Sequence, residues 1–227
     1  MLEYLPLPSG LDTEKLRGIE GWLSAKEAKL LYRLAKRGRG RGVILEIGSW
    51  KGRSTVCLAL GSRAGAGAHI FAVDPFTGSS EHGNVFTLPE FQANISRAGV
   101  SAQVTAIPKP SSEAAKNWNT PIELLWIDGA HEEEFVRKDF SAWSPFLVEG
   151  GTIAFHDSSM PGPANVIEEK LYKGTGFHSI GFVHGITYAR KGRGCPLTNR
   201  FMLFLKGVAY VLWRIKRFIR PHRKTQP

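Results

Sequence analysis

The stretch that decides the fold is Val43-Ile-Leu-Glu-Ile-Gly48-Ser-Trp-Lys-Gly52, an apolar run that ends in a glycine-containing turn. The run Val43–Ile47 has no strict apolar–polar alternation, which is typical of a strand buried on both faces of a sheet. Gly48 permits a backbone turn that other residues resist, and it lets a ligand approach the main chain. Gly52 lets a helix begin close by, and the free N–H groups of a helix N-terminus attract anions. The stretch therefore predicts a strand, a ligand-binding turn and a helix.

The same alternation of strands and helices continues to about residue 190. Further strands are predicted at 69–73, 103–107, 122–127 and 152–155, with a closing antiparallel pair at 177–183 and 186–189. Helices are predicted at 24–37, 54–60, 88–98, 111–118, 132–146 and 164–172. The first of them begins with Ser24-Ala-Lys-Glu27, which has the spacing of a capping box. Gly61, Gly99 and Gly150 are predicted to end three of these helices. Alternation of this regularity predicts a doubly wound α/β fold, with a mostly parallel seven-stranded sheet covered by helices on both faces.

Length and composition suit one core domain with extensions. The chain has 227 residues, of which 42% are hydrophobic and 22% charged. We expect a helical segment at 1–39, the core domain at 40–192 and a tail at 193–227. Cys57 and Cys195 lie far apart without a CxxC partner, which favours a reducing compartment over disulfides or zinc. The first residues lack the features of a secretory signal, so we expect a cytoplasmic location.

The positive charge is concentrated in the C-terminal part of the chain. Residues 1–169 contain 17 Lys and Arg and all 20 Asp and Glu, whereas residues 170–227 contain 13 Lys and Arg and no acid. The basicity therefore belongs to one segment and not to the whole protein. No nucleic-acid recognition motif accompanies it, so nucleic acid is not an expected partner.

Residues 200–220 are predicted to form a basic amphipathic helix. Apolar residues recur at helical spacing at Phe201, Phe204, Leu205, Val208, Val211, Leu212, Ile215 and Ile219. Basic residues lie off that stripe at Lys206, Arg214, Lys216, Arg217 and Arg220. Such a helix either docks on the domain or on a second subunit, or lies at the inner face of an anionic membrane. Both interpretations, and a homo-oligomer, stay open from the sequence.

Acidic residues lie at the carboxyl ends of four predicted strands of the core domain, the first, second, fourth and fifth, at Glu46, Asp74, Asp128 and Asp157. In open α/β sheets, ligands bind just beyond the carboxyl ends of the strands. The first turn reads ExGxxxG, so it has neither the middle glycine of a dinucleotide fingerprint nor a P-loop sequence. An acid at the second strand end is suited to accept both hydroxyls of a ribose. The pattern favours a sulfonium nucleoside over a pyrophosphate-containing ligand.

Glu46-Ile-Gly48-Ser-Trp-Lys-Gly52 and Phe71-Ala-Val-Asp74 resemble motifs I and II of the class I S-adenosylmethionine-dependent methyltransferases. The resemblance implies their Rossmann-like fold and S-adenosylmethionine as the cofactor. It implies that Glu46 and the first turn, with Gly48, Ser49, Gly52 and Ser54, bind the cofactor and that the turn holds its methionine end. It also implies that Asp74 binds the ribose.

The adenine is expected beyond the third strand, where Lys109-Pro-Ser-Ser-Glu113 lies. Ser111 or Ser112 would contact the base there. A serine that only caps the following helix is the alternative, and the two interpretations are compatible.

Leu125-Trp-Ile-Asp128-Gly-Ala-His131 and Thr152-Ile-Ala-Phe-His156-Asp157 resemble the metal-dependent subgroup of macrocin-type and catechol O-methyltransferases. The resemblance implies that Asp128 and Asp157 bind Mg²⁺, that Asp128 also contacts the cofactor, and that His131 is the general base. Relatives often have an acid or amide beside the second aspartate, but here the neighbours are His156 and Ser158. The third metal ligand is therefore not identified.

The expected reaction is methyl transfer to a hydroxyl of a sugar, a glycan or a small secondary metabolite. A bound metal lowers the pKa of a coordinated hydroxyl, and a nearby histidine accepts its proton. Two alternatives stay open from the sequence. One is a metal-independent N- or O-methyltransferase, and the other is a non-catalytic, membrane-associated protein that binds S-adenosylmethionine.

Overall fold

The predicted strands assemble into one seven-stranded sheet in the computed structural model, which describes residues 10–78 and 83–219 (without the side chains of 209, 210 and 212–219). The strands are β1 (Val43–Ile47), β2 (Ile70–Val73), β3 (Val104–Ile107), β4 (Ile122–Ile127), β5 (Leu147–Phe155), β6 (Phe177–Val183) and β7 (Ile186–Lys191). Their order is β3-β2-β1-β4-β5-β7-β6. The first five strands pair in parallel, and β7 runs antiparallel to both β5 and β6. The predicted doubly wound fold and its closing antiparallel pair are confirmed.

Seven α-helices connect and flank the strands in the described residues. They are α1 (Ala25–Lys36), α2 (Arg53–Arg63), α3 (Leu88–Arg97), α4 (Ser111–Ala114), α5 (Glu133–Trp143), α6 (Pro161–Ile167) and α7 (Pro196–Ile219). Short 3-10 turns occur at Thr13–Leu16, Ser101–Gln103, Ala115–Asn117 and Ser144–Phe146, and α6 continues into a π-helical turn at Glu168–Tyr172. The predicted C-terminal helix thus begins before residue 200, and Arg220 lies outside the described residues.

Two glycines do not end helices as predicted. Gly61 lies inside α2, where an added Cβ would collide with the backbone carbonyl of Tyr32 in α1. The glycine therefore serves the close packing of α1 on α2. β5 begins at Leu147 and not at residue 152, so Gly150 lies inside this strand, where it has a φ of +72°. The preceding helix ends earlier, because Pro145 allows only a 3-10 turn after Trp143.

Alternate residues of the central strands enter two apolar cores, one on each face of the sheet. Ile44, Leu124 and Trp126 belong to the core beneath α1, α2 and α3, which also contains the buried Cys57. Leu45, Leu125, Ile127, Ile153 and Phe155 belong to the core beneath α5 and α6. Burying each of these side chains stabilises the fold by ~1.5–3 kcal/mol. Burial on both faces explains why the strands read as continuous apolar runs.

Parallel pairing brings the carboxyl ends of β2, β1, β4 and β5 side by side. Ile47, the last residue of β1, pairs with Val73 of β2 and with Ile127 of β4. Ile127 in turn pairs with Phe155 of β5. The residues that follow these ends therefore share one edge of the sheet. No helix within the described residues is long and apolar enough to cross a membrane.

Candidate active site

The turn after β1 is held by close backbone contacts. Gly48 has a φ of +82°, and an added Cβ would collide with the backbone carbonyl of Asp128 at the end of β4. Its N–H donates to the carbonyl of Val73, 3.0 Å away. Gly52 has a φ of +88° and caps α2 at its N-terminus. Both glycines therefore occupy positions that side chains resist, as the sequence predicts.

Glu46 is fully buried behind this turn and stabilises it by hydrogen bonds. Its carboxylate accepts hydrogen bonds from the hydroxyls of Ser54 at 2.6 Å, Ser49 at 3.1 Å and Thr55. Burial raises the pKa of Glu46 to about 7, although the three hydroxyls oppose that shift. The Ser49 and Ser54 hydroxyls thus point to Glu46, and this acid acts on the turn from inside the protein. Their roles toward a cofactor stay predictions.

Asp74 closes the turn from the side of β2. Its Oδ2 accepts from the backbone N–H groups of Ser49 at 2.7 Å and Trp50 at 2.9 Å, and its Oδ1 accepts from the N–H of Phe76 at 2.6 Å. The N–H groups of the glycine turn are therefore oriented to hold an anion, and the anion that they contact is this carboxylate. The predicted ribose contact of Asp74 stays a prediction.

Ser111 does not cap α4. The capping position is Pro110, and no side chain caps the helix. Instead the Ser111 hydroxyl accepts a hydrogen bond from Nε1 of Trp143 at 2.7 Å. It also hydrogen-bonds to Asp139, whose pKa burial raises to about 6 against the opposing effect of that bond. The Ser111 hydroxyl is therefore tied to α5, whereas Ser112 is exposed.

Three of the predicted site residues meet at the ends of β4 and β5. Asp128, His131 and Asp157 each place one ligand atom within 4.8 Å of the other two. Nε2 of His131 lies 3.1 Å from Oδ2 of Asp157. Asp157 has a φ of +44°, which is uncommon for a residue other than glycine and marks a position fixed by its surroundings. The resemblance had assigned the metal ligands and the general base to these same three residues.

His156 lies between the two aspartates, which the sequence did not predict. Its Nδ1 is 3.0 Å from Oδ1 of Asp128 and 2.9 Å from Oδ2 of Asp157. Burial lowers the pKa of His156, but the neighbouring carboxylates of Asp128, Asp157 and Glu27 outweigh it and raise the pKa to about 12. The carboxylates therefore favour the protonated imidazolium form of the ring, whose Nδ1 bridges Asp128 and Asp157. We call Asp128, His131, His156 and Asp157 the reaction cluster.

The two aspartates respond differently to burial. Burial raises the pKa of Asp128, and the positive charge of His156 offsets only part of that shift. Burial also raises the pKa of Asp157, but here the hydrogen bond and charge of His156 dominate and lower it. Asp157 is thus the carboxylate held ionised against His131.

Glu27 of α1 supports the reaction cluster from a distant part of the chain. Its Oε1 lies 3.7 Å from Nε2 of His156 and accepts from the N–H of Gly185 at 2.8 Å. Its Oε2 accepts from the N–H of Ser24, 2.8 Å away, as part of the predicted capping box. Burial raises the pKa of Glu27, but these bonds outweigh it and lower the pKa to about 2. The capping spacing was the only sequence signal at this position.

Lys206 of α7 reaches the same edge of the sheet. Its Nζ donates to the carbonyl of Ser158 at 2.8 Å, to the Ser158 hydroxyl at 3.1 Å and to the Thr187 hydroxyl at 3.0 Å. Burial lowers the pKa of Lys206 to about 8. The C-terminal helix is therefore fastened to the residue that directly follows Asp157. The sequence pattern had assigned Lys206 only to the polar side of the amphipathic helix.

An open depression adjoins the reaction cluster. His131, Glu132 and Glu133 line one side of it, and Met160, Pro161, Gly162 and Asn165 line the other. Gly162 packs directly against the His131 backbone carbonyl, where an added Cβ would collide. The depression gives a small molecule access to the His131 side of the cluster.

A protein family described as "Methyltransferase domain" matches residues 45–158, which is half of the chain. Solved structures share the fold at low sequence identity. An O-methyltransferase from Bacillus cereus in complex with SAH has a TM-score of 0.58 at 18% identity, over 79% of this chain and 86% of that one. The O-methyltransferase NovP has a TM-score of 0.61 at 16% identity, with 74% and 80% covered. CalS11, a TDP-rhamnose 3'-O-methyltransferase of calicheamicin biosynthesis, has 0.54 at 20%, with 73% and 77% covered.

Proposed function

The chain belongs to the methyltransferase domain family, as an S-adenosylmethionine-dependent enzyme, and on that premise we propose that it methylates a hydroxyl of a sugar or other small acceptor. The observation that carries the proposal is the convergence of Asp128, His131 and Asp157 beside the glycine turn. The three solved structures named above are O-methyltransferases, and one of them is described as a TDP-rhamnose methyltransferase, which supports a hydroxyl acceptor and a sugar. A glycan or a small secondary metabolite belongs to the same proposal.

The cofactor lies across the ends of β1 and β2 in this proposal. The turn at 48–52 and the N-terminus of α2 hold its methionine end, and Asp74 binds its ribose. Ser111 and Ser112 lie on the adenine side. Glu46 keeps the turn in shape without reaching the ligand, because its carboxylate is saturated by hydroxyls inside the protein.

The reaction needs a base, because an alcohol hydroxyl is barely ionised at neutral pH. The acceptor oxygen attacks the methyl carbon, the carbon–sulfur bond breaks, and S-adenosylhomocysteine leaves as a neutral thioether. His131 takes the acceptor proton at a ring nitrogen. Asp157 orients the ring and stabilises the imidazolium that forms, since its Oδ2 lies 3.1 Å from Nε2. The depression beside His131 is the proposed acceptor site.

Magnesium fits the donor set at the reaction cluster. Two carboxylates from neighbouring strand ends, completed by water or substrate oxygens, form the environment that Mg²⁺ prefers. Asp128 and Asp157 would hold the ion, which when bound lowers the pKa of the acceptor hydroxyl. The third protein ligand stays unassigned, because His156 contacts both carboxylates through Nδ1.

That contact also favours a second candidate, a metal-independent methyltransferase. The His156 imidazolium already places a positive charge between Asp128 and Asp157, where a metal ion would otherwise neutralise them. In this version the base is still His131, and the charge of His156 takes the place of a metal ion beside Asp128 and Asp157.

The test measures S-adenosylhomocysteine formation by the full chain with a panel of nucleotide sugars and simple glycosides. We expect His131→Asn to reduce turnover ~10²–10⁴-fold, as for loss of a general base. The control Glu134→Gln removes an exposed acid of the same helix that contacts Lys138, outside both the cluster and the depression, and should leave turnover unchanged. Turnover that survives His131→Asn, or calorimetry without S-adenosylmethionine binding, would refute the proposal.

The same assay separates the two versions of the chemistry. Loss of turnover in EDTA with rescue by Mg²⁺ supports the metal-dependent version. Turnover that is insensitive to EDTA, but abolished by His156→Gln even with Mg²⁺ present, supports the metal-independent one.

A further inference from the structure

One face of the helix α7 is fixed to the protein. Asn199 is buried, and its Nδ2 donates to the carbonyls of Leu171 at 3.1 Å and Phe177 at 2.9 Å. One to two turns later, Lys206 donates to Ser158 and Thr187. Met202 and Leu203 pack against the core beneath α5 and α6. These contacts set the rotation of the helix about its axis, so the opposite face is directed outward.

The outward face carries a continuous apolar stripe. Its members are spaced by three, four or one residues and are 36–78% exposed: Leu197, Phe201, Phe204, Leu205, Val208 and Val211. Elsewhere in the described part of the chain, the exposed large apolar residues are scattered over several elements (Trp22, Val85, Phe86, Phe135 and Met160). Large apolar side chains gathered in one exposed stripe mark an interaction surface, whereas scattered ones are ordinary.

The charge around the stripe indicates an anionic partner. No acidic residue follows Glu169, and residues 170–227 contain 13 Lys and Arg. Arg200 is exposed within the length of the stripe, and six basic residues follow it between 214 and 224. A second copy of the chain would bring an equally basic segment to the contact, and like charges oppose that association. An anionic bilayer offers both a negative surface and an apolar layer.

We propose that the outward face of α7, residues 197–211, binds in the plane of an anionic lipid bilayer. The apolar stripe enters the boundary between headgroups and acyl chains, and the basic residues contact the headgroups. The helix lies on the membrane without crossing it, consistent with its lack of a spanning apolar segment in the described residues. This surface is separate from the proposed methyl transfer and does not depend on it.

The test is flotation of the full chain with phosphatidylcholine vesicles, with or without about a third phosphatidylglycerol. We expect ~10-fold tighter binding to the anionic vesicles, and weakening as salt is raised. Phe201→Ser with Phe204→Ser should reduce that binding ~10-fold or more, because two aromatic side chains no longer enter the lipid. The control Phe135→Ser changes an exposed phenylalanine of α5 and should bind like the wild type.

Three results would overturn the proposal. One is equal binding to neutral and anionic vesicles by the wild type, which does not depend on how any variant folds. Another is loss of binding in Phe135→Ser as large as in the double variant. The third is a dimer, seen by light scattering without lipid, that the double variant abolishes, since the stripe would then bind a second copy of this chain.

Discussion

Two groups of acids lie at adjacent strand ends, one fully buried and one half-buried, and their pKa values respond differently to that burial. Glu46 is surrounded by hydroxyls, with no cation among its hydrogen-bond partners, and its pKa rises to about 7. The reaction cluster instead contains His156, whose pKa rises to about 12 between Asp128 and Asp157. A buried carboxylate must either take up a proton or gain a cation. Burial raises the pKa of Glu46, whereas in the reaction cluster the charge of His156 opposes that shift at Asp128 and reverses it at Asp157.

The difference separates a structural acid from reactive ones. Glu46, with a pKa of about 7, hydrogen-bonds the residues of the cofactor turn but carries less negative charge near neutral pH than an ordinary carboxylate. Carboxylates paired with a histidine at a half-buried site can orient His131 or bind a metal ion. Variants that affect one group and spare the other test this division.

Asp157→Asn should reduce turnover ~10³-fold, because His131 loses the carboxylate that orients it and His156 loses one of its partners. The affinity for S-adenosylmethionine should stay within about threefold of the wild type, since the glycine turn makes no hydrogen bond to Asp157. Turnover assays and calorimetry measure the two effects. A variant that loses cofactor binding as strongly as turnover would break the division between the two groups.

Glu46→Gln should change how stability depends on pH. Because the folded pKa of Glu46 is about 7 and its unmodified value 4.5, its contribution to folding is complete below pH 4.5 and is lost as pH rises through 7. The free energy of unfolding of the wild type, relative to the variant, should therefore fall by roughly 2–3 kcal/mol between pH 5 and pH 8. Urea unfolding at the two pH values measures the change.

Glu27→Gln is the matched control for that experiment. The pKa of Glu27 is lowered to about 2, so its contribution is complete above pH 4.5 and is lost only in more acidic solution. The difference between this variant and the wild type should stay constant from pH 5 to pH 8. An equal slope for both variants would show that the pH dependence does not come from Glu46.

Lys206→Met should reduce kcat about tenfold and leave the KM for S-adenosylmethionine unchanged. Lys206 is a positioning residue in this prediction, because it holds the carbonyl of Ser158 next to Asp157 and touches no residue of the cofactor turn. Arg200→Met changes an exposed cation of the same helix and should keep the wild-type kcat. If KM rises while kcat is unchanged, α7 acts on the cofactor side instead.

The two groups also differ in how far the sequence could predict them. Glu46, Ser49 and Ser54 lie within nine residues, so one motif contains both the acid and two of its partners. The strand register followed from the apolar runs, and it correctly placed Asp128 and Asp157 at one edge. The glycine at 61 was misread because glycine ends helices and also lets them pack closely, and only the fold distinguishes these uses.

The residues that support the reaction cluster, Glu27 and Lys206, could not be predicted in the same way. Glu27 meets Gly185 across 158 positions of sequence, and Lys206 meets Ser158 across 48. Sequence motifs relate residues that are a few positions apart, so no motif predicts either pair. His156 stood in the sequence beside Asp157, but nothing there showed that its ring would lie between two carboxylates. Such contacts depend on the whole sheet being assembled.

β7 lies between β5 and β6 in the sheet, but it is the last strand in the sequence, and α7 follows it. The elements that complete the reaction cluster are therefore the last to be synthesised. The residues of the glycine turn, its acids and β4 have all been synthesised by the time the ribosome adds Asp128. Lys206 follows about 80 residues later, on the order of ten seconds of synthesis. Until β7 and α7 arrive, a nascent chain carries the cofactor turn without the contacts of Gly185, Thr187 and Lys206. Interrupted translation would therefore yield chains with an intact cofactor motif and an unfinished reaction cluster.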